Sequence, residues 1–239
     1  MSGWVARRFW AAVTVVTEAA GHAVLLDARA VRTPAKRPLT LPTRAMAEAV
    51  AAEWAAVDDL IDPRLMPVTR AANAAIDKVA PQFDEVAALV AAYGGSDLLC
   101  YRADEPAELA SAQAEAWDPL LDWAAATYGA RLASGRGIAP VVQPPQAVAR
   151  LAAEVAACTP FQLAALHDLV ALSGSLVLGL AATRRARDAG ALWQLSRFDE
   201  DWQAARWGRD DEAAAAEAAK RQGFLAADEF WRLSSPSAA

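Results

Sequence analysis

"WAAVTVVTEAAGHAVLLDARAVRTPAKRPLTLPTRAMAEAVAAEW" (Trp10–Trp54) switches its hydrophobic period at Thr43. Before that residue, three short runs are β-branched or alternate apolar with polar side chains: "WAAVTVVTE" (10–18), "HAVLLDA" (22–28) and "RPLTLP" (37–42). Alternation of this kind turns one face of a strand to a core and the other to water. Gly21 punctuates the first pair of runs, and "RAVRTPAKRP" (29–38) separates the second from the third. The pattern predicts a small antiparallel sheet over residues 8–42, with a last loop made basic by Arg29, Arg32, Lys36 and Arg37. Thr43 then suits the N-cap of a helix running to about Val57, because its hydroxyl can accept a free amide of the first turn. Trp54 on that helix is expected to link it to the sheet.

Beyond this point the punctuation is helical. Pro67 and Pro81 each suit a first helical position, and Gly94-Gly95 closes the second of these helices. Asp118-Pro119 reads as a cap followed by proline, starting a helix that stops at Tyr128-Gly129. "RLASGRGIAPVVQPP" (131–145) is an irregular, partly extended connector, and Pro145 opens the next helix. Thr159-Pro160 starts a central helix. Asp188 starts a helix ending at Gly208, and Asp210 caps a last helix to about Leu233, with "SSPSAA" as a frayed tail. The fold class expected is α+β, a small N-terminal antiparallel β unit followed by a larger all-helical domain. The boundary is placed near residue 60, giving domains 1–60 and 61–239.

The composition narrows the function classes. The chain has 239 residues and a net charge of −6, which disfavours nonspecific nucleic-acid binding, since that needs a basic footprint. Cys100 and Cys158 lack neighbours at metal spacing and read as reduced core thiols. The first residues do not read as a signal peptide. The most apolar stretch, "LAALHDLVALSGSLVLGLAA" (163–182), carries His167 and Asp168 and reads as a buried core helix, so a cytoplasmic location is expected. "AYGGSD" (92–97) and "LSGSLVLG" (172–179) match neither a Walker loop nor a Rossmann turn, so no nucleotide site is expected. Ser173 and Ser175 lack the glycine spacing of a nucleophile elbow. His22 and His167 are isolated and make a poor metal set; His167 reads as a hydrogen-bonded core group. No cofactor or metal is implied.

One stretch remains, "LSRFDEDWQAARWG" (195–208), with three consecutive acids between aromatics. On a continuous helix at about 100° per residue, Ala191, Leu192, Leu195, Phe198, Trp202 and Ala205 form an apolar stripe. Glu200 and Asp201 point away from it, and Arg197 can pair with Asp201 at i,i+4. Asp199 falls inside the stripe, with Arg206 on the same side. A buried carboxylate needs a partner. Three readings stay open: an internal pair or backbone donors, a groove edge meeting a basic group of a partner, or a perturbed catalytic acid. Of the nine Trp residues most are expected in packing and one or two, as at interface hot spots, exposed.

"RRFWAAVTVV", "RTPAKRPLTLP", "AEAVAAEWAA", "MPVTRAANAAID", "YGGSDLLCYRA", "AWDPLLDWA", "LHDLVALSGSLVLGLA" and "LSRFDEDWQAARWG" occur in this order. Together, from about Arg8 to about Gly208, they resemble the assembly chaperone for the α subunit of the F-type ATP synthase catalytic sector, in its bacterial rather than mitochondrial form. The resemblance implies a non-enzymatic protein that binds unassembled α subunit, shields the surface destined for the β subunit, and releases it as the ring forms. It places the family's important acidic position at Asp199, where other members can have Glu, with Glu200 able to share the role. The partner-binding set expected is Asp199, Glu200, Trp202, Gln203 and Arg206. The competing readings are a helical enzyme using Asp199 or Glu200 as general acid or base, and a scaffold that joins partners without chaperoning.

Overall fold

A computed structural model describes residues 7–208 and 211–235 and has the α+β architecture, a three-stranded antiparallel sheet followed by a mostly helical chain. Trp4, the expected cap at Asp210 and tail residues 236–239 lie outside the described residues. Strand β1 (Val13–Glu18) pairs with β2 (Gly21–Leu26), Val13 opposite Leu26, and β2 pairs with the short β3 (Arg29–Ala30). The run 37–42 is not the third strand. It joins by isolated bridges, Arg32 to Pro38 and His22 to Leu41. Pro38 and Pro42 bring no N–H, so a continuous ladder cannot form through them. Gly21 is required at the turn: its φ is +141° and a Cβ there would lie 2.6 Å from the Leu41 carbonyl oxygen.

Helix α1 (Arg44–Ala55) starts where expected, with the Thr43 hydroxyl accepting from the Met46 N–H at 3.1 Å. Its Met46, Ala47 and Val50 are buried and pack on the sheet, whose Val24 and Leu26 are buried as well. Met46, Val50, Val24 and Leu26, buried this completely, each contribute roughly 1.5–3 kcal/mol. Trp54 meets the buried Trp10 edge-on, ring centroids 5.2 Å apart, tying α1 to the segment entering β1.

Pro67 opens α2 (Pro67–Ala74) as predicted, and Pro81 stands in the first positions of a 3-10 turn that leads into the next helix. The winding passes from α2 through a π-turn at Ala75–Val79 and a 3-10 turn at Ala80–Gln82 into α3 (Phe83–Ala92). In the π-turn the Ala80 N–H reaches back to Ala75, and the widened backbone lies just ahead of the proline that cannot donate. Asp77, on this turn, accepts from Thr33 Oγ1 at 2.8 Å, Ala35 N at 3.0 Å and Arg37 Nε at 2.9 Å, fastening the basic loop.

Next come β4 (Tyr101–Arg102) and α4 (Ala107–Tyr128). Asp118-Pro119 lies inside α4, which begins eleven residues earlier; the helix-forming run "AELASAQAEAW" (107–117) and the burial of Leu109, Ala110, Gln113 and Trp117 outweigh one missing donor. Gly129, at φ +64°, ends the helix as expected. β5 (Gly135–Arg136) pairs parallel with β4, and Pro145 opens α5 (Pro145–Ala156). The central helix is two: α6 (Pro160–Ser173) and α7 (Leu176–Thr183), divided at Gly174, φ +74°. Asp97, fully buried, explains the division. It accepts from Ser175 Oγ at 2.7 Å, Val177 N at 3.0 Å and Leu99 N at 3.0 Å, holding the start of α7. Burial pushes its carboxyl upward in pKa against those hydrogen bonds. The chain ends with α8 (Ala189–Ser196), α9 (Phe198–Trp207) and α10 (Asp211–Ser234).

The chain divides into two compact units. Met1–Phe83, Thr159–Ala164 and Glu229–Ala239 make the first; Asp84–Cys158 and Ala165–Asp228 make the second. In the first, Phe161 stacks against Phe230 at 6.3 Å, and Thr43 Oγ1 donates to the Leu233 carbonyl at 2.5 Å. No helix among the described residues is long and apolar enough to cross a membrane.

Candidate functional site

The acidic stretch belongs to α9, and its setting begins one helix earlier. Asp188 caps α8, its Oδ1 accepting from Gly190 N at 2.8 Å and Ala191 N at 3.2 Å. The helix predicted from Asp188 to Gly208 is interrupted at Arg197, φ −106° and ψ 13°. Ser196 Oγ donates to the Trp193 carbonyl at 2.6 Å, and Arg197 N donates to the Gln194 carbonyl at 3.0 Å, so the last turn of α8 tightens and stops. Asp199, Glu200 and Asp201 then form the first turn of a new helix, where their negative charge complements the unpaired N–H groups. Three acids in a row are a helix-start signal here.

None of the ten side chains of α9 is fully buried. Clefts open beside it. One, about 530 Å³, is lined by Leu195, Phe198, Asp201 and Trp202 together with Arg187, Ala191 and Gln194. Another, about 260 Å³, is lined by Asp199, Glu200 and Gln203 together with Trp117, Arg197, Leu98 and Ser196. The two acids expected to act together thus share the smaller cleft, and Trp202 faces the larger. Arg206 stacks on the Trp202 ring, its guanidinium carbon 3.9 Å from the centroid, instead of approaching Asp199.

Asp199 is half-buried, and no cation among the described residues lies within ion-pair distance of it. Its donor is Gln113: Nε2 donates to Asp199 Oδ1 at 2.6 Å, while Gln113 Oε1 accepts from Ala103 N at 2.7 Å. Gln113 is 2% exposed and so holds the carboxylate from the core of α4. Trp117, one turn further along, donates its indole N–H to the Leu195 carbonyl at 2.9 Å and meets Phe198 edge-on at 6.0 Å. Glu200 is exposed and paired with Arg197 at 2.8 Å, and that guanidinium lies over Trp193. Gln203 is exposed, and Trp207, 77% exposed, ends the helix. Gln113 and Trp207 were missed in the sequence: Gln113 is 86 residues from Asp199, and nothing local distinguishes an exposed Trp from a packed one.

The remaining candidates are elsewhere. His167 is not a core histidine: its side chain is 47% exposed and its Nδ1 lies 2.9 Å from Asp168 Oδ1, which raises its pKa. Cys100 is buried and Cys158 half-buried, both free; burial pushes their thiols up to about 12 and about 11 respectively, with Asp97 and Glu154 adding to it. Thiols so raised are poor nucleophiles. No group of three metal-ligating side chains occurs among the described residues.

Residues 7–125 match the family described as ATP12 chaperone protein. The whole chain is similar to solved structures. Atp12 from Paracoccus denitrificans is 56% identical, covering 96% of this chain and 99% of that chain, with a TM-score of 0.94. An aspartate-to-lysine mutant of Atp12p from the same organism is 55% identical, covering 96% and 98%, again at 0.94. The Atu1473 protein of Agrobacterium tumefaciens is 39% identical, covering 95% of this chain and 86% of that chain, with a TM-score of 0.91.

Proposed function

Since the chain belongs to the ATP12 chaperone family, which acts in ATP synthase assembly, we propose that it binds the unassembled α subunit of the F-type ATP synthase and shields its β-subunit interface until the catalytic ring forms. The observation that carries the site is α9, a helix that buries no side chain completely and lies beside two clefts. Asp199, Glu200 and Gln203 offer one polar cleft to a basic or amide group of the partner. Trp202 and Phe198 offer apolar surface in the other, and Arg206 stiffens the Trp202 ring. Apolar contact supplies most of the affinity in such interfaces, and charge sets approach and orientation. Asp199, held by a neutral amide, keeps a net negative charge for that purpose. The protein works in the cytoplasm and, on this reading, needs no nucleotide of its own.

The test is capture of α. Coexpression should raise soluble α and give a complex that added β dissolves. Asp199→Lys should still fold cooperatively, its melting temperature lowered by no more than the loss of the Gln113 bond brings, and bind α about tenfold more weakly or worse. A cooperative melt at much lower temperature would make Asp199 a structural residue and remove it from the interface. A complex that persists after β joins would describe a scaffold instead.

A further inference from the structure

The first unit holds a cleft of about 460 Å³ that the function proposed above leaves unused. Its wall is apolar, with Trp54, Ile61, Met66 and two prolines, Pro34 and Pro63. Three polar atoms among its lining residues are buried without any hydrogen-bond partner: the Trp54 indole N–H, the Thr69 hydroxyl and the Asn73 side-chain oxygen. Thr69 is 5% exposed, so its hydroxyl is deprived of solvent as well as of protein partners. Buried polar groups are normally satisfied, and a set of three around one cleft marks a place where a ligand completes them.

The charge around the cleft is one-sided. Arg32, Arg70 and Lys78 line it, all exposed, and none has a carboxylate within ion-pair distance among the described residues. Its one acid, Asp77, is already engaged by Thr33, Ala35 and Arg37. The N–H groups that open α2 are engaged too, Val68 N and Thr69 N donating to Glu53 at 2.7 and 2.8 Å. The occupant therefore brings the negative charge. It also brings an acceptor for the indole and a donor for the amide oxygen, the pairing that a peptide group carries. Apolar exposure extends past the cleft on the same loop: Leu65, between the lining residues Pro63 and Met66, is 76% exposed, and Leu60 is 48% exposed. A small organic acid seated in the cleft would leave those side chains wet, whereas a polypeptide would cover them.

We propose that this cleft receives an extended segment of the α subunit in which acidic and apolar side chains occur together, its peptide groups completing Trp54, Thr69 and Asn73 and its carboxylates meeting Arg70 and Lys78. This rests on the chaperone reading and adds a second contact region to α9.

Purified α subunit is the probe. Arg70→Glu combined with Lys78→Glu, both at exposed positions, should weaken α binding about tenfold, most strongly at low salt, with the melting temperature unchanged. Thr69→Val, which keeps shape and removes the hydroxyl, should weaken binding less and without salt dependence. In otherwise wild-type protein, a photo-cross-linking p-benzoylphenylalanine replacing Leu65 should attach to one acidic segment of α, located by mass spectrometry. If wild type captures α, the charge-reversed variant captures it equally and position 65 gives no cross-link, the cleft is overturned and the chaperone reading stands. If wild type captures no α, both fall. If the charge-reversed variant melts early, the cross-link alone decides.

Discussion

Gln113 determines whether the Asp199 carboxylate has a donor at all, and the 2.6 Å contact makes it a sensitive place to intervene. Replacing it by Leu leaves Asp199 and the Ala103 N–H unpaired and should cost about 1–3 kcal/mol by denaturant unfolding. Gln113→Glu keeps the shape but sets two carboxylates face to face. Such a pair holds a proton above the ordinary carboxylate range, so the folded state binds more protons than the unfolded one. The variant's stability relative to wild type should therefore fall between about pH 5 and pH 8, and a flat difference would show that the side chain had swung away. Asp77 has the opposite sign. Burial raises its pKa, but the hydrogen bonds from Ala35, Thr33 and Arg37 outweigh that and leave it below the usual value. Its stabilising contribution is present above the ordinary carboxylate range and is lost as pH falls through the folded-state value. Protection of the Ala35 amide, taken against the intrinsic exchange rate at each pH, should fall on acidification in wild type, and Asp77→Asn should be less protected already at neutral pH with little further change in acid.

Element by element, the legible signals were the ones that act within a turn. Thr43, Asp188 and Thr159 offer a cap oxygen and were read correctly; Thr159 and Gln162 even exchange backbone and side-chain bonds across the first turn of α6. Gly129 was legible because only its conformation ends α4 without strain. Pro119 misled, since a proline removes one hydrogen bond and a long helix with a buried face tolerates that loss. The interruption at Arg197 has no Gly or Pro to announce it, and the apolar stripe drawn across 191–207 assumed a phase that resets there. Asp199 still differs from Glu200, but through Gln113 on another helix, which no local pattern encodes. Gly174 tests the punctuation directly. A Cβ there would meet only Leu98 at an ordinary 3.8 Å, so the penalty of Gly174→Ala is backbone strain alone, roughly 1–2 kcal/mol in a thermal melt. Trp207→Ala, by contrast, should change stability by less than about 0.5 kcal/mol, because the ring is 77% exposed, while lowering affinity for α if the end of α9 is part of the docking surface.

At the scale of the molecule, the first unit is assembled from segments far apart in the chain. Phe230 is 1% exposed, and Phe230→Ala should destabilise by about 3–5 kcal/mol. Amide protection in β1 and α1, where Trp10 and Trp54 pack, would report that loss if the unit unfolds as one; unchanged protection would show that the sheet and α1 stand without the end of α10. The hydroxyl of Thr43 has a further bearing, on the order in which the protein comes into being. Its acceptor, the Leu233 carbonyl, follows 190 residues later. At translation rates of about 5–20 residues per second, the start of α1 waits on the order of 10–40 s for that partner to be made. The first turn of α1 is thus made well before the contact that completes it.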